Sequence, residues 1–451
     1  MIAALMTTTK PRTYPLPNVK PITRRQARFA FIVLLVINIL NYADRSILGA
    51  VQTKIQPEFH LSDTELGFII SSFLLIYGLA TFPLGIWADK GVRKNIVAAC
   101  VGIWSVATAL AGFTHNFIQL LLTRSVLGVG EAGYAPASLS MIGDYFPKSV
   151  RGRMLSLWSI GNVVGTAIGQ IAGGIIAVTL GWRWAFFFVG IPGLIAAFLI
   201  WRAVEPERGA YDRVEDEAGE DASEGEIVGH SLGTNVWQTF KQIARIRTYW
   251  ILLGSFIASF FIVGAATGWI TTYIVRDFKL TEAQAGLVSG LTLATGSIIG
   301  TIIGGWLGDS LQKRRPQGRL IISTISFLLG APLTLIALTF HNIYPFVAFF
   351  TLAIITLSLC LGPINAVIQD IIEPDKRATA TGLLLLLAHL LGDAASPIII
   401  GILADHTSLG TALLITAPTC LFIAGLICLL GLKTVAGDME AMQQRMRRAR
   451  V

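Results

Sequence analysis

The sequence predicts an all-α membrane protein whose twelve transmembrane helices form two pseudo-symmetric bundles of six. Three observations lead to this fold class: long apolar runs without charge, basic residues confined to alternate loops, and a second half that repeats landmarks of the first. Composition agrees, because 53% of the 451 residues are hydrophobic and only 14% are charged. A soluble domain carries about 25% charged residues.

The apolar runs set the number of spans. A helix needs about 20 apolar residues to cross a bilayer, and six runs of about this length contain no Asp, Glu, Lys or Arg: 66–88, 154–182, 184–201, 248–275, 283–308 and 407–432. Two longer charge-free runs, 95–123 and 320–369, each divide at a His-Asn pair. The remaining spans, 29–49, 124–142 and 378–404, contain a few ionisable residues, which brings the predicted count to twelve.

The basic residues indicate the topology. They cluster before span 1, after spans 2, 4, 8 and 10, and at the end of the chain, whereas the alternate loops hold only Lys54, Arg183, Arg276 and Lys279. Such a bias places both termini in the cytoplasm. The net charge of +8 therefore indicates topology and not a nucleic-acid partner. Because residues 1–28 are polar and basic, we expect no cleavable signal peptide there.

The chain repeats itself once. HLSDTELG at 60–67 resembles KLTEAQAG at 279–286, and each predicts a helix that begins with a capping box. Further pairs, such as Asp89 with Asp309 and Pro147 with Pro374, keep nearly the same offset. The predicted organisation is a cytoplasmic segment 1–28, a six-helix bundle 29–203, an acidic cytoplasmic linker 204–247 with an amphipathic helix, a second bundle 248–433 and a basic cytoplasmic tail 434–451.

This organisation indicates a secondary transporter rather than an enzyme. Two similar six-span halves joined by a polar linker are typical of carriers whose site lies between the halves. The nearest phosphate-loop lookalike, 143–149, lacks the second glycine and follows a helix instead of a strand, so no motor is predicted. We therefore expect an ion gradient as the energy source, with no cofactor and no metal; the four cysteines lie in apolar runs without metal-ligand spacing.

The few ionisable side chains inside the spans are the candidates for function. Each costs at least ~2.5–3.5 kcal/mol at bilayer depth unless it faces a cavity or a partner. Arg124 and Glu131 share one face of span 4 because they are seven residues apart. Asp44 and Arg45 belong to a polar sector of span 1, together with Asn38, Asn41 and Tyr42.

We predict that Arg45 meets Glu131 and that Arg124 meets Asp44. A carboxylate beside an arginine holds its proton weakly. When the arginine moves away, the carboxylate is left in an apolar setting and its proton affinity rises. Asp44 and Glu131 are therefore the predicted proton-coupling acids, with Arg45, Arg124, Asn38, Asn41 and Tyr42 as substrate-binding candidates. The structural alternative is two static ion pairs that hold the helices together.

Other motifs suggest a second site, a gate and close helix packing. His389 and Asp393 are four residues apart on span 11, near Ser396, and form either a second polar site or a local hydrogen-bonded pair. The loop after span 2 holds Gly85, Asp89, Arg93 and Lys94, and its copy holds Asp309; we expect a paired cytoplasmic gate. Glycines at every fourth position indicate closely packed helices: Gly161, Gly165, Gly169 and Gly173 on span 5, and Gly296, Gly300 and Gly304 on span 8.

The chain resembles the major facilitator superfamily through GIWADKGVRK at 85–94 and RSVLGVGEAGYAP at 124–136. Asn41-Tyr-x-Asp44-Arg45 together with Arg124 and Glu131 is similar to two subfamilies, the anion:cation symporters of sugar acids and the Spinster transporters of sphingolipids and lysophospholipids. AHLLGDAASPIIIG at 388–401 resembles the Spinster signature of span 11, and the short loops resemble a bacterial member.

The Spinster resemblance implies a proton-coupled exporter or flipper of amphiphilic lipids, in which Asp44 and Glu131 are the proton-linked acids and Arg45 and Arg124 their partners. Two alternatives stay open: a proton-coupled organic-anion (sugar acid) symporter, and a receptor or scaffold that does not transport. The expected partners are a small amphiphilic or anionic substrate and membrane lipid, and the expected state is a monomer. We expect the plasma membrane, the inner membrane of a bacterium, as its location.

Overall fold

The computed structural model describes residues 22–208, 241–373 and 376–448, except for the side chains of 82, 85, 86, 88–90, 148 and 378. These residues form helices and no strand, which confirms the all-α fold class. The linker residues 209–240, which contain most of the predicted amphipathic helix, lie outside this range. The side chain of Asp89 lies outside it as well.

The first half contains seven helices. They are α1 (Arg24–Phe59), α2 (Asp63–Lys90), α3 (Arg93–Ala111), α4 (Phe117–Ala132), α5 (Tyr134–Tyr145), α6 (Lys148–Thr179) and α7 (Trp182–Trp201). The second half and the tail contain α8 (Arg247–Phe278), α9 (Glu282–Gln312), α10 (Gly318–Thr339), α11 (Ile343–Ser358), α12 (Leu361–Ile371), α13 (Arg377–Ala388), a π-helical turn (His389–Asp393), α14 (Ser396–His406), α15 (Leu409–Gly431) and α16 (Val435–Arg448).

Eleven helices of the described ranges are long and apolar enough to cross a membrane. The predicted span 4 is the twelfth, and it is divided into α4 and α5 at Gly133. Pro136 follows the break by three residues and contributes to it, since a proline has no N–H for the carbonyl four residues earlier and its ring clashes with it. Pro363 stands in the same relation to the break between α11 and α12 at Leu359-Cys360. The two halves thus interrupt their fourth span in the same way.

The repeat is visible in the backbone. The predicted capping boxes are formed: Ser62 accepts from the Glu65 N–H at 3.1 Å, and Thr281 accepts from the Gln284 N–H at 3.3 Å. His60 and Lys279, which end α1 and α8, adopt left-handed conformations with φ of 54° and 53°. Two equivalent hinges therefore reverse the chain at the end of the bundle away from the termini.

The glycine rows pack within each half. A methyl group at Gly169 on α6 would lie 2.9 Å from the Ala43 Cα on α1, and one at Gly304 on α9 would lie 2.5 Å from the Leu359 Cα beside α11. Each of these two rows therefore faces a helix of its own half. Spans 5 and 8 meet elsewhere: a methyl group at Gly174 would lie 2.8 Å from the Glu282 carbonyl carbon.

The predicted basic tail continues as a helix for most of its length. In α16, Asp438 accepts from the backbone N–H of Thr248 at 2.9 Å, at the start of α8. Arg445 lies 3.4 Å from Glu373, which also accepts from Lys376. The hydrogen bond from Lys376 lowers the pKa of Glu373, and Arg445 adds to this effect. These contacts attach α16 to the second half.

Candidate functional site

The two predicted ion pairs are both formed, and both join α1 to α4. Arg45 Nε lies 2.7 Å from Glu131 Oε2, and Arg124 Nη1 lies 3.0 Å from Asp44 Oδ1. Both carboxylates are completely buried. A carboxylate at such depth is tolerated only with a partner, and Glu131 lies in the last turn of α4, just before the break between α4 and α5.

The Asp44–Arg124 pair is sealed inside the first half. Thr108 of α3 donates to the second oxygen of Asp44, and Arg124 also reaches the Asp44 carbonyl at 3.4 Å. The Arg124 side chain is 2% exposed, and its Nε has no hydrogen-bond partner among the described residues. Arg124 was a candidate for substrate binding, but in this state its guanidinium group donates its hydrogen bonds to Asp44.

The Arg45–Glu131 pair has a different environment. The Arg45 side chain is 18% exposed, and within the described residues its only hydrogen bond is the one from Nε to Glu131. Three aromatic rings surround the guanidinium carbon, at 5.1 Å for Tyr42, 5.2 Å for Phe73 and 4.5 Å for Tyr77. Arg45 therefore has free donor groups beside open space, and Glu131 Oε1 is left without a partner in the described structure.

The asparagines of span 1 divide into two kinds. Asn38 is fully used, because it donates to the Trp158 carbonyl at 2.7 Å and to Asn162 at 2.6 Å and accepts from the Tyr134 hydroxyl. It connects α1 with α5 and α6. Asn41 is equally buried, but neither atom of its amide has a partner in the described part of the chain. Asn41 is thus the one with hydrogen-bonding capacity to spare.

The second polar pair lies in the other half. His389 Nδ1 is 2.8 Å from Asp393 Oδ2, and the two residues bound the π-helical turn of span 11. π-Helical turns are rare and frequent at functional sites. The His389 ring packs edge-to-face on Phe260 and on Tyr77, with centroids 4.9 and 6.1 Å apart. Ser396 donates to the Asp393 carbonyl at 3.4 Å, which is a hydrogen bond within its own span.

Tyr77 therefore connects the polar groups of the two halves. One neighbour of its ring is Arg45 in the first half and the other is His389 in the second. Sequence reasoning missed Tyr77, Phe73 and Thr108, because a Tyr, Phe or Thr in an apolar span can face lipid equally well. Phe73 and Tyr77 are four residues apart, and this spacing would have placed the two rings on one face of the helix.

The predicted cytoplasmic gate consists of contacts within each half. Arg93 lies 2.9 Å from Glu205 and also binds Asp144, Ser140 and the Pro206 carbonyl. Lys94 contacts the same segment through the Ala203 carbonyl at 2.9 Å. In the second half, Arg319 lies 2.7 Å from Asp309 and 2.6 Å from Asp370.

These pairs hold helix ends together without crossing between the halves. Gly85 is on α2, but the side chain of the key acid, Asp89, is outside the described residues. The gating role of this loop stays a prediction.

The opposite end of the bundle carries polar contacts that do cross between the halves. Arg276 of α8 holds Asp63 of α2 at 2.6 and 2.9 Å, and Lys54 of α1 lies 3.3 Å from Glu282 of α9. Asp405 accepts from the N–H groups of Asp63 and Thr64 at 2.8 and 2.9 Å. Among the described residues, all side-chain hydrogen bonds between the halves lie toward this end.

The first two of these contacts are related by the repeat, since Asp63 and Glu282 each follow the capping residue of their helix. We name the Asp63–Arg276 and Lys54–Glu282 pairs the distal lock. Sequence analysis used Lys54 and Arg276 only as topology markers. The repeated acid after Ser62 and Thr281 was the available signal.

Comparison with known proteins agrees with this geometry. The model of the Major Facilitator Superfamily matches residues 34–384. Protein spinster homolog 1 of Xenopus tropicalis is 29% identical over 409 residues, covering 87% of this chain and 75% of that protein. The human protein spinster homolog 1 is 27% identical over 392 residues, covering 83% of this chain and 72% of that protein.

Solved structures show the same fold. A crystal structure of a bacterial homologue of the human lysosomal transporter Spinster, inward-facing and unoccupied, matches with a TM-score of 0.77 at 22% identity, covering 94% of this chain and 99% of that one. Its inward-facing, occupied form matches with a TM-score of 0.74 at 24% identity, covering 94% and 98%.

The fold and the paired arginines and acids of spans 1 and 4 define a membrane transporter, not an enzyme, and the chain belongs to the Major Facilitator Superfamily. Within that superfamily the chain is similar to Spinster proteins, in agreement with the resemblance of residues 388–401.

Proposed function

We propose that this transporter is a proton-coupled secondary carrier that works by alternating access and moves single-chain amphiphilic lipids with a phosphate head, of the lysophospholipid or sphingoid-phosphate type. Its proposed location is the plasma membrane, the inner membrane of a bacterium, with both termini in the cytoplasm. The observation that carries the proposal is the state of Arg45, which is ion-paired to a buried acid through one nitrogen and open to the site through the others.

Glu131 couples the proton to the substrate. When a proton binds Glu131, the carboxylate loses its charge and the ion pair with Arg45 ends. The freed guanidinium group then binds an anionic head, for which its planar fork is suited because it presents two donors to two oxygens. When the head leaves, Arg45 pairs with Glu131 again and the proton is released. Proton binding and head-group binding are thereby positively coupled.

Asp44 has a separate place in this scheme. Its two oxygens are occupied by Arg124 and Thr108, so a proton reaches it only after this group of side chains rearranges. We assign Asp44 to a later step of the cycle than Glu131. The chain thus keeps a second acid available for coupling.

The uncharged polar groups favour a lipid over a sugar acid. A polyhydroxy substrate needs several convergent amide or hydroxyl groups. Asn38 and Asn162 bond to each other, and Gln170 bonds to Thr271 at 2.7 Å and to the Thr267 carbonyl. Asn41 is buried, and both atoms of its amide are without a partner within the described structure. The rings of Phe73 and Tyr77 supply an apolar surface close to Arg45, and the Phe260 ring packs on His389 nearby in the other half.

Flux into proteoliposomes with an internal pH indicator tests the proposal. We expect oleoyl lysophosphatidate to move with protons and a hexuronate not to move. Glu131→Gln and Asp44→Asn should each abolish accumulation driven by a pH gradient, because neither side chain then exchanges a proton. Glu440→Gln is the matched control, since Glu440 is exposed on α16 outside the membrane.

The alternatives are outcomes of the same experiment. Saturable hexuronate flux with no competition from the lipid would establish the organic-anion symporter. Binding of the lipid without any flux or pH change would establish a receptor or scaffold. Normal proton-driven accumulation by Asp44→Asn would show that Glu131 couples alone.

A further inference from the structure

The site contains an aromatic cage around a single guanidinium group, and neither the ion pairs nor the coupling scheme requires it. Phe73 and Tyr77 come from α2, and Tyr42 comes from α1 next to Arg45. The guanidinium carbon of Arg45 lies within 5.2 Å of the centroids of all three rings. Phe73 also lies 5.8 Å from the guanidinium carbon of Arg124 and so stands between the two arginines.

Rings at this distance attract a cation through their negative faces, and the attraction grows when water is excluded. While Arg45 is paired with ionised Glu131, much of its charge is already balanced. After Glu131 is protonated, Arg45 carries an uncompensated charge at membrane depth, where such a charge is costly. The rings therefore stabilise the state with protonated Glu131 more than the ion-paired state.

We propose that Phe73 and Tyr77 are positioning residues that hold the Arg45 guanidinium group in place when Glu131 is protonated, so that one arginine serves as counter-ion in one step and as anion-binding group in the next. The inference deepens the proposed function and rests on it. Tyr77 also touches His389 of the opposite half, so the cage forms at the boundary between the halves.

Removing a ring should make protonation of Glu131 harder. Loss of an attraction of this size should lower proton affinity roughly tenfold, which moves the titration midpoint of Glu131 about one pH unit lower. Other titratable or charged groups face this pair from the surrounding helices and must stay unchanged in every variant: Tyr42, Asp44, Arg124, Tyr134, His389 and Asp393.

The test follows the infrared band of the protonated Glu131 carboxyl group as pH changes, in purified protein without substrate. The band is assigned by its loss in Glu131→Gln. Tyr77→Leu and Phe73→Leu should move the midpoint to lower pH, whereas Tyr77→Phe, which keeps the ring face and loses only the hydroxyl, should keep the wild-type midpoint. If Phe73→Leu does not fold, Phe73→Met tests the same ring with a side chain of similar volume.

A second readout is the KM for oleoyl lysophosphatidate in proteoliposomes, which should rise roughly 5- to 30-fold in Tyr77→Leu and stay unchanged in Tyr77→Phe. Wild-type midpoints in the leucine variants, or an equal shift in Tyr77→Phe, would overturn the cage. Failure of the wild type to move the lipid while the infrared midpoints shift as expected would overturn only the proposed lipid transport. The two failures are therefore distinguishable.

Discussion

The distal lock should control which end of the bundle is closed. The perturbation is the double variant Asp63→Asn with Glu282→Gln, which keeps the shape of both side chains and removes both charges. Arg276 grips Asp63 with two short hydrogen bonds, and the Asp63 side chain is 11% exposed. Lys54 is 46% exposed, so its pair with Glu282 is largely screened by solvent. The two pairs should contribute unequally.

The magnitude follows from these differences. Losing the charge of Asp63 weakens two charge-assisted hydrogen bonds and should cost about 2 kcal/mol. Losing the charge of Glu282 should cost about 0.5 kcal/mol, as for an exposed pair. Together, about 2.5 kcal/mol changes the ratio of closed to open distal ends roughly 70-fold. Asp405, which bonds the start of α2 through backbone N–H groups, is left intact by these substitutions.

Pulsed electron paramagnetic resonance measures this population. Spin labels at Thr179 and Thr339 report on the two halves, because both residues are exposed at the distal end and bond only within their own helices. Cys420, the only described cysteine that is not fully buried, is replaced by Ala to avoid a third label. We expect a longer-distance component that is nearly absent in the parent.

The matched control is Glu58→Gln. Glu58 pairs with Arg183 at 2.7 Å and accepts from Trp182 at 2.6 Å at the same end of the bundle, but all three residues belong to the first half. Its loss should leave the distance distribution unchanged. An unaltered distribution in the double variant, or an equal shift in Glu58→Gln, would refute the assignment of the lock to the two inter-half pairs.

Two further predictions concern the packing around the site. Thr108→Val removes the hydroxyl group that donates to Asp44 and should lower the melting temperature by several degrees, since a buried charge-assisted hydrogen bond contributes about 1.5–3 kcal/mol; Thr108→Ser keeps the donor and should melt near the wild type. Gly304→Ala should destabilise the second half because the added methyl group overlaps Leu359, whereas nothing lies within 4 Å of a methyl group at Gly305, so a lower melting temperature in Gly305→Ala than in Gly304→Ala would contradict the packing argument.

Pairing inside the spans could be predicted from sequence because charges at membrane depth leave few alternatives. Arg124 and Glu131 share a face of span 4, and Asp44 and Arg45 are the opposite charges available on span 1, so the partners follow from cost and helical period alone. The same logic could not predict which of the two ion pairs is sealed and which is partly exposed. That Thr108 seals Asp44, while Arg45 stays partly exposed, depends on how α3 is rotated about its axis, which hydropathy does not determine.

The glycine rows show a second limit of sequence reasoning. Spacing of four residues marks a face that packs closely but does not say against which helix. Gly169 and Gly304 turned out to face α1 and the α11–α12 break of their own halves. The breaks in spans 4 and 10, in contrast, each lie one turn before a proline, Pro136 or Pro363, whose effect on the preceding turn is local. A local effect of this kind can be predicted from the sequence, whereas the helix that a glycine row faces could not.

In the sequence, the basic residues between the spans indicate only the membrane topology. In the structure, two of them also form ion pairs between the halves. Lys54 and Arg276 lie near the ends of α1 and α8, and each meets the acid that begins the second helix of the opposite half. A positive charge at these positions runs against the topology bias, which favours basic residues at the other end. The ion pairs therefore offset the unfavourable placement of these two positive charges, and they also join the halves.

The two ends of the molecule consequently use charge differently. Near the termini, Arg93 and Arg319 bind acids of their own half, so rocking of one half against the other leaves these contacts intact. At the distal end, the pairs cross between the halves, so the same motion must break them. The Arg45 side chain keeps an exposed fraction of 18% in this state, in which the distal end is joined. In the proposed alternating-access cycle, opening of the distal end coincides with loss of the lock, and the energy to break the lock comes from the site that Arg45 and Glu131 form.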